Sequence, residues 1–195
     1  MALKYKSVFD EIRGNPNYSY LNSQRWFRNK VKELALRPND PRLLQDKRAT
    51  NAIEPGFLYM FAYDAKHKDT LPYWDAFPMT FIFGFTKTGF IGINFHYLPI
   101  AARFALFDRL ALNHLSNSKF DLSTKVNADW GTLKNFARFP QVKPAVKQYL
   151  ISNVRSRFIK IPINDWKPAL LLPVENFQGA SKTTVWNNSS TIIRN

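Results

Sequence analysis

Apolar and polar positions alternate most clearly between Pro55 and Leu98. Three short runs there predict strands: residues 57–63, 79–85 and 90–97. Aromatic side chains fall at every second position, at Phe57, Tyr59, Phe61 and Tyr63 and again at Phe81, Phe83 and Phe85. A strand sends alternate side chains to opposite faces, so each aromatic set shares one sheet face. The intervening positions Leu58, Met60, Ala62 and Ile82 are apolar too, which predicts a sheet covered on both faces. Lys87-Thr88-Gly89 is short and contains glycine, as an antiparallel hairpin requires. Residues 64–78 are too long for a tight turn and predict a packed loop. The pattern therefore predicts an α+β protein. Its centre is a small bent antiparallel β-sheet or partly open barrel over residues 55–98, packed with helices and flanked by extended basic N- and C-terminal arms.

The flanks read differently. Val8, Phe9 and Ile12 form a possible helical face that ends at Arg13-Gly14-Asn15-Pro16. After a capping Asn22 or Ser23, Phe27, Val31 and Leu34 make an apolar stripe at i, i+4, i+7. Arg25, Arg28 and Lys32 line a separate face of that helix, with Lys30 offset. Residues 37–55 read as a linker. Beyond the sheet, Leu98-Pro99 opens an apolar helix, since proline is tolerated in a first turn. Residues 132–139 predict a short helix. Residues 141–154 predict another, with Val142, Val146, Tyr149 and Leu150 inward and Lys143 and Lys147 together at i, i+4. Residues 155–161 read as a basic strand carrying Arg155, Arg157 and Lys160, with Phe158 on the opposite face from Arg157. Residues 169–172 suggest a closing strand. The Ser/Thr/Asn-rich end, in which Trp186 is an isolated apolar anchor for a partner, reads as a free tail. Three regions result: a basic arm over 1–54, an aromatic-rich core over 55–175 and a polar tail over 176–195.

Charge sharpens this division. The net charge is +14, and half of the thirty aromatic residues lie between Phe57 and Phe107, so a nearly neutral aromatic core stands between basic flanks. Residues 1–55 carry a balance of +5, residues 56–115 of +1 and residues 116–195 of +8. Such a distribution attracts a polyanion: nucleic acid, an acidic protein surface or an anionic membrane. The residues offered for that contact are Arg25, Arg28, Lys30, Lys32, Lys143, Lys147, Arg155, Arg157 and Lys160. Each also has a plainer reading as part of a solvated surface. The absence of cysteine excludes disulfides and thiolate metal sites. No apolar run approaches the ~20 residues that span a bilayer. The opening residues lack the apolar core of a signal peptide, so the chain is expected to stay where it is made.

The chemistry of an enzyme is thin. His67 lies between two lysines, His96 sits in an aromatic run as a packed, hydrogen-bonded ring, and neither it nor His114 has a second ligand at metal spacing. No phosphate-binding glycine loop and no nucleophile elbow occur. Asp64 and Asp75 around Lys66 suggest a metal-dependent nuclease, but their spacing fits better with a turn residue and a loop acceptor. No cofactor, metal or catalytic residue is expected.

Segments at the centre of the chain and near its end carry a family resemblance. Residues 56–66 (GFLYMFAYDAK), 71–78 (LPYWDAFP) and 89–99 (GFIGINFHYLP), with Leu172-Pro173-Val174-Glu175-Asn176-Phe177 and Val185-Trp186 near the end, resemble minor virion proteins of T-even-like contractile-tailed phages. The closest group is the DNA end protector family. The resemblance implies a virion component assembled in the host cytoplasm, in multiple copies within a symmetric assembly. Its partners would be other virion proteins of the neck, head–tail connector or baseplate, and double-stranded DNA ends, with no membrane. It implies no catalytic residues. A protein acting mainly as a non-sequence-specific binder of DNA ends is the alternative.

Overall fold

A computed structural model describes residues 49–115, 140–161, 166–171 and 175–194. The expected helices over 8–12, 23–34 and 132–139 lie outside the described residues. The described chain contains β1 (Ala49–Thr50), β2 (Leu58–Met60), β3 (Trp74–Asp75), β4 (Met79–Phe85), β5 (Gly89–Asn94), α1 (Ile100–Leu115), β6 (Val146–Leu150), β7 (Phe158–Ile161), α2 (Trp166–Leu170), β8 (Phe177–Gln178) and α3 (Lys182–Arg194). Six strands form one sheet in the order β1-β7-β2-β4-β5-β6, and β3 pairs with β8 in a second, two-stranded sheet. Every pairing is antiparallel. The larger sheet is open among the described residues, with β1 and β6 as its edges.

The expected hairpin is present. β4 and β5 pair from Thr80–Asn94 to Phe85–Phe90, with a bulge between Ile82 and Gly84. The period-2 aromatics of the first two runs occupy opposite faces of the sheet. Leu58, Met60, Phe81, Phe83, Ile93 and Ile161 face one core, which Phe104 and Phe107 of α1 and Trp166 of α2 cover. Tyr59, Phe61, Ile82, Phe90, Tyr149 and Phe158 make a second core on the other face. There Phe61 meets Tyr149 edge-on at 5.2 Å and Phe90 stacks on Tyr149 at 5.3 Å. Such offset and perpendicular arrangements match ring quadrupoles. Phe85 breaks the pattern and is 57% exposed, beyond the bulge that re-aims the strand end.

Three segments depart from expectation. Residues 141–154 are not one helix. A 3₁₀ turn (Lys143–Ala145) leads into β6, and a second (Ile151–Asn153) follows it. The apolar stripe fits a helical period, but β5 would otherwise leave its outer backbone edge unpaired, and β6 pairs with it from Gly89–Leu150 to Ile93–Val146. Gly89 permits this approach, since a Cβ there would lie 1.8 Å from the Tyr149 carbonyl oxygen. Lys143 and Lys147 consequently share no helix face. The expected strand at 169–172 is replaced by α2, whose Trp166 indole donates to Ile161 O at 2.8 Å.

The polar end also differs, because α3 occupies most of the segment read as a free tail. Ser181 caps it by accepting from Thr184 N at 3.1 Å. Buried Val185 and Ser189 fasten its inner face, and Ser189 donates to Tyr97 O at 2.5 Å. Before the helix, Gly179 adopts φ +86°, which favours glycine, and a Cβ there would lie 2.7 Å from Pro72 O.

Candidate nucleic-acid interface

Beside the second core, the loop after β2 and the strands β3 and β6 enclose a cleft of about 410 Å³. Tyr63, Tyr73, Trp74, Tyr97 and Tyr149 supply its aromatic lining, and Lys66, His67 and Lys147 supply positive or titratable groups. β3 is held by β8 through the pairs Trp74–Gln178 and Asp75–Phe177. β6 is held by β5, and a 3₁₀ turn (Phe95–Tyr97) places the Tyr97 ring beside Lys147 of β6. Tyr63 meets Tyr149 perpendicularly at 4.9 Å, so the aromatic wall is braced from behind.

A polar hub underlies the cleft. The His96 Nδ1–H donates to Asp75 Oδ2 at 2.7 Å, and Asn94 Nδ2 donates to the same oxygen at 2.9 Å and to Tyr149 Oη at 3.0 Å. Asp75 Oδ1 accepts from Phe77 N at 3.0 Å, and Asn94 Oδ1 accepts from His96 N at 3.0 Å. Burial pushes the Asp75 carboxyl up, but the His96 ring, Asn94 and the Phe77 amide outweigh it and hold the carboxyl below its usual value. Burial raises the Tyr97 and Tyr149 phenols, which keeps both un-ionised. His96 and Asp75 are almost completely buried, as a packed ring and a loop acceptor should be. Asp64 is engaged elsewhere: Lys68 first, then Arg155, holds its exposed carboxyl below the usual range. The two aspartates therefore serve separate hydrogen-bond sets.

Lys147 is the unusual cation. It sits half-buried on β6 with its ammonium 3.8 Å from the centre of the Tyr97 ring. It has no carboxylate partner among the described residues, and burial lowers its pKa from 10.5 to about 8. The other expected contact residues are placed differently. Lys160 pairs with Glu54 at 2.9 Å and lies 3.4 Å from the centre of the Phe57 ring. Arg155 is exposed and reaches Asp64 at 3.4 Å, and Arg157 donates to Asn51 Oδ1 at 3.2 Å. Lys143 is exposed on its 3₁₀ turn. Lys147 lies on one edge strand of the sheet, whereas Lys160 lies on β7, next to the other edge. Arg25, Arg28, Lys30 and Lys32 lie outside the described residues.

Trp186, expected to anchor a partner, docks on its own chain. Its indole donates to His96 O at 2.9 Å, and Arg103 lies over its ring at 5.4 Å. Arg103 itself is fully buried. It pairs with Glu175 and donates to Leu98 O at 2.7 Å and Leu170 O at 3.3 Å, joining α1 to α2 and the C-terminal segment. Neither this junction nor the hub was legible from spacing, because Arg103 and Glu175 are 72 positions apart and Asp75 and His96 are 21 apart. The only sequence signal was that both pairs fall within the segments carrying the family resemblance or at their borders.

No curated protein and no solved structure matches the chain. The model of one protein family, the phage T4 terminal DNA protecting protein, matches residues 4–192. A match over nearly the whole length includes the aromatic core, the basic flanks and most of α3, and on it the chain belongs to the family of the phage T4 terminal DNA protecting protein.

Proposed function

We propose that this protein protects the ends of linear phage DNA by binding them, as a component of the virion, and without catalysing a reaction. The family match over residues 4–192 carries this reading. The charge of +14 supports it, because phosphate neutralisation supplies affinity without reading sequence. Arg155, Arg157 and Lys160 follow one another along a short segment, and the ion pairs of Arg155 with Asp64 and of Lys160 with Glu54 sit at the surface, where a phosphate competes readily. Lys143, Lys147 and the N-terminal Arg25, Arg28, Lys30 and Lys32 complete the proposed contact set. In the particle the protein would occur in several copies beside other virion proteins of the neck, head–tail connector or baseplate.

The test is exonuclease digestion of a linear duplex with and without the full chain. Protection of the ends, lost at high salt and with Arg155 and Arg157 changed together to Glu, is the expected result. Digestion at an unchanged rate under saturating protein would refute the reading. An acidic subunit surface would then be left as the partner of the basic residues.

A further inference from the structure

We propose that the cleft between β3, the Phe95–Tyr97 turn and β6 receives the terminal nucleotide of a DNA end, with its base among Tyr73, Trp74 and Tyr97 and its phosphate on Lys147 and Lys66. The assignment rests on the end-protecting reading and specifies how an end is told from the middle of a duplex.

Size, shape and chemistry agree on this occupant. The cleft volume of about 410 Å³ lies in the range of about 300–1,000 Å³ that small-molecule sites occupy. A duplex cannot enter such a space, but one unstacked nucleotide can. Aromatic faces accept any base, as protection of ends of arbitrary sequence demands. The indole N–H of Trp74, a residue of the same wall, is buried without a hydrogen-bond partner among the described residues.

Lys66 and Lys147 are the cations lining the cleft, beside the imidazole of His67, with Asp75 as the one carboxylate among the lining residues. Both Asp75 oxygens are already engaged by the Phe77 amide, Asn94 and His96. An incoming phosphate therefore meets lysines rather than a free acid. Lys147 is the decisive group. The buried Arg103 and the partly buried Lys160 each have a carboxylate, whereas Lys147 is desolvated against a ring with none among the described residues. An anion from outside supplies the missing partner.

The geometry also favours ends. An internal nucleotide must lose stacking on both sides and its pairing to leave the helix. A terminal one has a single stacked neighbour and frays spontaneously, so the same cleft discriminates by the ease of extrusion.

The experiment uses the full chain and duplexes carrying the fluorescent base 2-aminopurine at the terminal or at an internal position, each with and without a terminal phosphate. The terminal probe should change its emission on binding and the internal probe should not. Loss of the phosphate, Lys147→Met or Lys66→Glu should each weaken end binding about tenfold. Lys66→Glu lies on an exposed turn and carries the test should Lys147→Met misfold. Exonuclease protection combined with a silent terminal probe, and with variants that bind like the unmodified chain, overturns the cleft assignment while leaving end protection in place. Failure of the unmodified chain to bind ends overturns both.

Discussion

Arg103 and Lys147 are both cations drawn away from solvent, and their surroundings are opposite. Arg103 is enclosed by Glu175, the carbonyls of Leu98 and Leu170 and the ring of Trp186. Lys147 has an aromatic ring on one side and a cleft on the other. A buried charge held by a carboxylate and by backbone carbonyls fixes how elements meet, and here it fixes α1 against the C-terminal segment. A desolvated charge without a partner lowers stability, and its presence makes sense where an external anion completes it. The first region is architecture; the second is where we propose that a ligand enters.

The comparison breaks most sharply at Glu175. Glu175→Ala leaves Arg103 buried and unpaired, and urea unfolding should show a loss of about 3–5 kcal/mol. Replacing both partners, Arg103→Met with Glu175→Leu, should recover most of that loss, because the desolvation of both charges is removed together.

Asp75→Asn comes next. It removes the charge from the hub and weakens the bonds from His96 and Asn94, with an expected cost of about 2 kcal/mol in denaturant unfolding at neutral pH. The pH dependence has a definite sign. The folded carboxyl lies below its unfolded value of 3.8, so its contribution is complete above 3.8 and is lost as pH falls through the lower folded value. Thermal melts on the acid side should therefore separate native and variant least at the lowest pH.

Lys147→Met should have the smallest effect, and of opposite sign, a gain of about 1–2 kcal/mol at pH 7 from removing a desolvated charge, less the lost contact with the Tyr97 ring. Here the folded pKa, about 8, lies below the unfolded 10.5. The unfolded chain binds more protons between these values, so the penalty is complete below about 8 and fades as pH rises toward 10.5. The stability difference between native and variant should narrow over that window. A lysine that behaved as a simple surface group would show no such change.

These groups explain which parts of the molecule the sequence disclosed. The β4–β5 hairpin was legible because Phe81 and Phe83 alternate and Lys87-Thr88-Gly89 closes the turn, all within a few residues. The helix after Pro99 and the inward Phe158 were legible for the same reason. β6 was not, because Val142, Val146, Tyr149 and Leu150 suit a helical stripe, and the need to pair the edge of β5 is a tertiary requirement. α3 was hidden by its Ser/Thr/Asn-rich composition, although Val185 and Ser189, four apart, give its inner face. The cleft shares the difficulty of β6. Its aromatics read as core, and Lys147 read as one of two lysines on a helix face, until the strand turned it toward Tyr97. Arg103 looked like an interruption of an apolar helix, and only the fold brings Glu175 to it.

The most direct test of the account is competition binding between a linear duplex, blunt or recessed, and the covalently closed circle of the same sequence, across a salt series. The linear form should compete more strongly for the protein, and its affinity should fall with salt at a log–log slope of about 0.9 for each phosphate contacted. Equal competition by the closed circle, or an affinity indifferent to salt, would contradict the claim that this protein recognises DNA ends through their phosphates.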